Sequence, residues 1–119
     1  MGLFGFGTKP KPIEIEASAL SATDIQQGRY EGQVVTLKGR VCEQGAIMEL
    51  STGFRFMDCS VLVDVLDMSG MTSLFVKKFV RGEYNGQARA TGVIEIERRS
   101  RTPSYRLIVE DKSHLSFSV

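Results

Sequence analysis

Over much of the chain, apolar residues recur at every second position, the signature of strands with one buried face. In residues 33–42, Val35, Leu37 and Val41 fall on one side, and Thr36, Lys38 and Arg40 on the other. Gly39 takes an apolar-side position without a side chain, which allows a sharp coil or a close approach by another backbone. Residues 54–58 alternate again, with Phe54 and Phe56 opposite Arg55 and Met57. In residues 60–66, Val61, Val63 and Val65 oppose Leu62, Asp64 and Leu66. The longest alternation, 87–97, sets Ala88, Ala90, Gly92, Ile94 and Ile96 against Gln87, Arg89, Thr91, Val93, Glu95 and Glu97. A last strand is predicted over 105–109, with Tyr105, Leu107 and Val109 sharing a side.

Two stretches carry a helical period instead. Residues 18–30 offer Ser21 or Thr23 as a cap, Asp24 at the positive end of the dipole, and Gly28 as a stop. Leu20 and Ile25 are the apolar contacts of that stretch. In residues 71–81, Phe75, Phe79 and either Met71 or Leu74 form a stripe, with Lys77, Lys78 and Arg81 on the wet side. Residues 1–12, broken by Gly2, Gly5, Gly7, Pro10 and Pro12, read as a flexible arm, which leaves 13–119 as one domain. Residues 110–119 are expected to leave the sheet and pack through Leu115 and Phe117. The order strand, strand, strand, helix, strand, strand predicts an all-β fold: a five-stranded OB-type Greek-key barrel, its helix closing one end, preceded by a short N-terminal helix.

The residues carry a resemblance as well as an order. Gly32-Gln-Val-Val-Thr-Leu-Lys-Gly39-Arg-Val41 resembles the opening strand of OB domains, with a glycine mid-strand. Phe56-Met-Asp58 followed by Val61-Leu-Val-Asp-Val65 resembles the second hairpin, and Gly86-Gln-Ala-Arg-Ala-Thr-Gly92-Val-Ile94 the fourth strand. Ser21-Ala-Thr-Asp-Ile25 and Tyr30-Glu-Gly32 match the element that precedes the barrel in the bacterial tRNA anti-like group of OB proteins. The resemblance covers residues 20–110 and implies the fold; for function it implies a binding module in the broad sense.

Composition narrows the function classes. Fifteen basic and fourteen acidic residues leave a net charge of +1, so electrostatic attraction to a polyanion needs local clustering. Cys42 and Cys59 match no metal spacing and are too few for a disulfide framework; buried thiols are the expectation, with a Cys42–Cys59 bridge left open. His114 is the single histidine. No nucleophile–base pair, phosphate-cradling glycine loop or ligand cluster stands out, so the chain reads as a non-enzyme with no cofactor and no metal. Asp58 and Asp64 are the nearest thing to paired carboxylates, and turn duty is the plainer reading. The N-terminus lacks the charged region and long apolar core of a signal peptide, so a cytoplasmic location is expected.

Clustering does occur. Between Lys77 and Arg106 eight basic residues (Lys77, Lys78, Arg81, Arg89, Arg98, Arg99, Arg101, Arg106) face three acidic ones (Glu83, Glu95, Glu97). Arg98, Arg99 and Arg101 fall in the loop between the last two predicted strands, a loop with which OB domains grip single strands. Lys38, Arg40 and Arg55 would extend a phosphate track through Arg89 and Arg106, with Tyr105 or Phe54 as base contacts and Tyr84 as another ring at a loop edge. The plainer alternatives are a solvated loop whose arginines pair with Glu95 and Glu97, and phenylalanines that belong to the core. Two functions stay open: binding of single-stranded DNA or RNA through the basic loop, or a protein-interaction or assembly module. In the second, Leu3, Phe4 and Phe6 would dock on a protein partner or a membrane surface.

Overall fold

The computed structural model describes residues 11–42, 53–69 and 85–118. The predicted helix at 71–81, most of the arm, Tyr84 and the loop after Cys42 lie outside them. The described chain is mostly β. Seven strands form one curled, mixed sheet, a half-barrel: β1 (Ile13–Glu16), β2 (Val34–Cys42), β3 (Gly53–Arg55), β4 (Leu62–Asp67), β5 (Asn85–Glu97), β6 (Ser104–Val109) and β7 (Leu115–Ser118). Their order is β1-β2-β5-β6-β4-β3, with β7 also on β5.

Two strands exceed the five expected, and each has a physical reason. Residues 13–16 extend the domain as β1, parallel to β2, with Ile13 beside Val35 and Glu16 beside Lys38. Ile15 thereby reaches the core, which an isolated arm could not offer it. The C-terminal residues do not leave the sheet. They return as β7, antiparallel to β5, with Leu115 beside Ala90 and Phe117 beside Ala88. The small alanines leave room for both side chains, and Phe117 lies 5.4 Å from the Phe54 ring.

The alternation dictates the interior. Val35, Leu37, Val41, Phe54, Val63, Val65, Ala90, Ile94, Tyr105, Leu107 and Val109 are fully buried, all from the apolar sides of their strands. Phe54 and Phe56 meet edge to face at 5.5 Å. The core role of these two rings holds, and Phe54 offers no surface for a base.

β5 is the axis of the sheet. Residues 85–93 pair with β2 on one edge; on the other edge residues 87–90 pair with β7 and residues 93–97 with β6. Gly92 stands where β6 ends over β5. A Cβ there would lie 2.0 Å from the carbonyl oxygen of Ile108. Gly39 serves a different approach: a Cβ there would lie 2.8 Å from the Phe56 ring. Beside it, the Met57 amide donates to the Arg40 carbonyl at 2.7 Å, which draws the end of the β3 strand back towards β2.

The connection from β1 to β2 crosses over the sheet end. It holds a 3-10 turn (Ala17–Ala19) and one short helix, α1 (Ala22–Gln26), shorter than the predicted span. Gly28, Tyr30 and Gly32 all have positive φ, so the backbone turns there instead of continuing the helix. Ser21 is the cap: its hydroxyl accepts from the Asp24 amide at 3.2 Å, while the Ser21 amide donates to the Asp24 carboxylate at 2.9 Å. Leu20 and Ile25 are buried as expected.

Replacing Gly92 with alanine pushes a methyl group into the Ile108 carbonyl. The expected cost is about 3 kcal/mol, read from urea unfolding; a loss below about 1 kcal/mol would show that β6 lifts off β5 freely. The Ser21 amide holds the Asp24 carboxyl below the ordinary value of 3.8, aided by the Ser21 hydroxyl and Arg29 against a desolvation cost. A depressed folded value stabilises the fold above the unfolded value, and that stability is lost as pH falls through the folded value. Asp24→Asn is therefore expected to be less stable than wild type at about pH 7, with the gap closing below pH 3.8 in acid titrations of the melting temperature.

Candidate binding surface

The predicted cations among the described residues project from the outer, solvent-facing side of the sheet or from its loop, because the same alternation that buries valines turns the intervening residues outward; Lys77, Lys78 and Arg81 lie outside the described residues. Curling separates them into three groups. On β1, β2 and β5, Lys38 lies 3.8 Å from Glu16, and Arg89 lies 2.7 Å from Glu14. Lys38 and Arg89 are cross-strand partners, so the two carboxylates of β1 offset two adjacent cations. Arg40 grips Asp58 through two hydrogen bonds of 2.8 and 3.2 Å, and this holds the Asp58 carboxyl below its usual value.

The second group is a row of alternating charge across four strands. Register places Arg55 beside Asp64, Asp64 beside Arg106, and Arg106 beside Glu95. Arg55 binds the buried Asp64 carboxylate at 2.6 and 3.2 Å, which holds the guanidinium firmly protonated. Arg106 lies 3.5 Å from Glu97. Asp58 and Asp64 do not meet: each serves its own arginine.

The third group is the loop between β5 and β6. Arg98 reaches away from it to Glu31, with bonds of 2.7 and 2.9 Å, and pins the loop to the crossover that precedes β2. Arg99 donates its backbone amide to the Glu97 carboxylate. The side chains of Arg99 and Arg101 are exposed and have no carboxylate partner among the described residues. The expected pairing of the loop arginines with Glu95 and Glu97 is not made among the described residues: Glu97 takes Arg106 of β6 and the Arg99 backbone amide, while Arg98 goes to Glu31.

Tyr105 departs from its expected place as a base contact. Its ring is fully buried beneath the crossover, and its hydroxyl donates to the Arg29 carbonyl at 2.9 Å. Burial, with nearby carboxylates adding to it, pushes the phenol up to about 12. The partly buried Tyr30 is already covered by the Arg29 guanidinium at 4.9 Å. None of the aromatic rings among the described residues is exposed. Cys59 is a free thiol, so the Cys42–Cys59 bridge left open by the sequence is not made; desolvation pushes its thiol up to about 11.

The same outer face also carries an apolar feature. Val34 of β2 pairs with Val93 of β5, Val93 with Ile108 of β6, and Ile108 with Leu66 of β4. Four aliphatic side chains thus form one row across four neighbouring strands. Val34 is 52% exposed and Val93 37%, and Ile108 and Leu66 are partly covered. Met68, 68% exposed, follows the β4 end of the row. The sequence held one clue: Val93 is the sole aliphatic residue among the outward positions of β5.

No protein-family model matches the chain, and no curated protein matches it. Among the described residues no group of three or more His, Cys, Asp or Glu side chains is arranged to hold a metal ion. No helix among them is long and apolar enough to cross a membrane.

Tyr105→Phe is expected to cost about 1 kcal/mol of stability, because the Arg29 carbonyl loses its donor. Denaturant melts check the loss, and oligonucleotide titrations should show no separate effect on binding, since the ring contributes no exposed surface.

Proposed function

We propose that this protein is a non-enzymatic OB-type module that binds a protein partner across the outer face of its sheet. The strand pairings support the OB-type reading: β2 and β6 flank β5 antiparallel, β6 and β4 run parallel, and β3 closes back towards β2. The resemblance of residues 20–110 to the tRNA anti-like group supports it from the sequence side. β1 and β7 are additions at the flanks of that arrangement.

The observation that carries the partner reading is the row Val34–Val93–Ile108–Leu66. Aliphatic side chains left in water on a twisted sheet gain roughly 25 cal/mol per Å² when a partner covers them. A track for phosphates needs cations free to exchange counterions, and six of the candidate cations already face carboxylates: Lys38, Arg40, Arg55, Arg89, Arg98 and Arg106. Stacking on bases needs exposed rings, and the described rings are buried or covered. Among the described candidate cations, Arg99 and Arg101 are the remaining support for a nucleic-acid ligand, at two phosphates' worth of charge.

Two measurements separate the readings. Val93→Asp places a charge in the centre of the row and is expected to abolish capture of the partner that wild type retains in crosslinking, with the melting temperature kept within a few degrees. Single-stranded oligonucleotides are expected to show no binding at roughly 50 mM salt, where phosphate contacts are strongest. Capture that survives Val93→Asp would end the partner proposal. Tight oligonucleotide binding with a steep salt slope, lost in an Arg99→Gln, Arg101→Gln variant, would replace it with the nucleic-acid one.

A further inference from the structure

Where the aliphatic row begins, at the β1 side of the sheet, two cavities open side by side. One, of about 410 Å³, is lined by Lys11, Pro12, Glu14, Thr36, Arg89, Thr91 and His114. The other, of about 760 Å³, is lined by Lys11, Pro12, Ile13, Gln33, Val34, Thr91 and His114. They share Lys11, Pro12, Thr91 and His114, so a single ligand can enter both.

The two halves differ in chemistry. The smaller recess has three basic side chains, Lys11, Arg89 and His114, against one acid, Glu14. Glu14 is already bound to Arg89 at 2.7 Å, and no ion pair is made by Lys11 among the described residues. The recess keeps a positive surplus even with His114 neutral. Thr36 and Thr91 share one hydrogen bond of 2.7 Å on its floor, and each hydroxyl oxygen retains acceptor or donor capacity. The larger recess is walled by Pro12, the half-exposed Ile13 and the half-exposed Val34, and Val34 is the first member of the row.

We infer that this double recess is the specificity end of the binding face and takes a peptide segment in which a carboxylate neighbours aliphatic side chains. The carboxylate sits between Lys11 and Arg89 with the threonine hydroxyls beneath it. The aliphatic side chains lie against Ile13 and Val34 and continue along Val93. Arg89 suits this position because its guanidinium can hold Glu14 with one edge and offer further donors to a ligand. The inference rests on the protein-partner reading and deepens it by naming the charge and apolarity of the partner.

The test uses three blocked pentapeptides, titrated into the full chain by calorimetry and amide chemical-shift mapping. The first ends in two leucines with a free carboxylate, the second is its C-terminal amide, and the third ends in two serines with a free carboxylate. The first is expected to bind about tenfold more tightly than the amide, one charge-assisted hydrogen bond being worth roughly that ratio, and about tenfold more tightly than the serine peptide, which loses the burial of the leucine side chains. A Lys11→Gln, Arg89→Gln variant should bring the acid peptide down to the affinity of the amide and leave the amide unchanged. Glu14→Gln, which raises the positive surplus, should tighten the acid peptide several-fold, a gain that misfolding cannot imitate. Equal binding of acid and amide, or no binding of any peptide at millimolar concentration, overturns the inference. If acid and amide bind equally and Val93→Asp weakens both, the row reading stands and the recess inference alone fails. If Val93→Asp leaves the acid peptide untouched while Glu14→Gln tightens it, the recess stands and the row reading fails.

Discussion

The curl of the sheet depends on one steric contact: the Phe56 ring occupies the space that a side chain at residue 39 would fill. In the strand order, β3 is the far end and β2 is near the other. A flat sheet would hold them apart. The phenylalanine, packed where glycine leaves a gap, brings them together, and burying such a ring contributes about 1.5–3 kcal/mol. The Met57–Arg40 backbone bond and the Arg40–Asp58 pair lie beside that contact, so polar groups are satisfied where the two ends approach. Asp58 adopts a positive φ at this point, a conformation that aspartate tolerates better than most residues.

Once the sheet is curled, its two sides have different tasks. The inside is filled by aliphatic and aromatic residues at close packing. The outside is mostly charge, and the charges are arranged by register: acids of β1 beside bases of β2 and β5, and the row from Arg55 to Glu95 in alternating sign. Opposite charges on neighbouring strands avoid the repulsion that like charges would bring, though each exposed pair contributes little to stability. The consequence for binding is larger. Cations already beside carboxylates are poor recruits for a run of phosphates, which leaves the aliphatic row, and the recess at its head where Lys11 has no ion-pair partner among the described residues, as the surface with free energy left to gain.

The long strand β5 joins these parts. It contributes Arg89 to the recess, Val93 to the row and Glu95 to the charged row, at alternate positions along one backbone. Gly92 lets β6 cross close enough for Val93 to meet Ile108. A change in the bend at Gly92 would therefore shift the apolar row relative to the recess, which couples the core packing of the inner face to the shape of the outer one.

Period-two alternation is a property of single strands, and so the buried faces of β2, β4, β5 and β6 and the core role of Phe54 and Phe56 were legible in the residues themselves, while the residues offered Ser21 or Thr23 as the cap and the structure uses Ser21. The mid-strand glycine at 39 signalled a close approach, made there by the Phe56 ring, whereas the approach of the Ile108 carbonyl at Gly92 was not read from the residues. Partners across strands were not legible, because nothing local states which residue of β5 stands beside which residue of β2. For that reason β1 and β7 went unpredicted, the arginine track dissolved into pairs with Glu14, Glu31, Asp58 and Asp64, and Tyr105 moved from the surface to the interior under the crossover. The chain by itself determined which side of each strand faces inward, since that follows from the chemistry of neighbouring residues. Only the tertiary structure decided which outward residues become neighbours, since register and curl are set by packing between segments far apart in the chain.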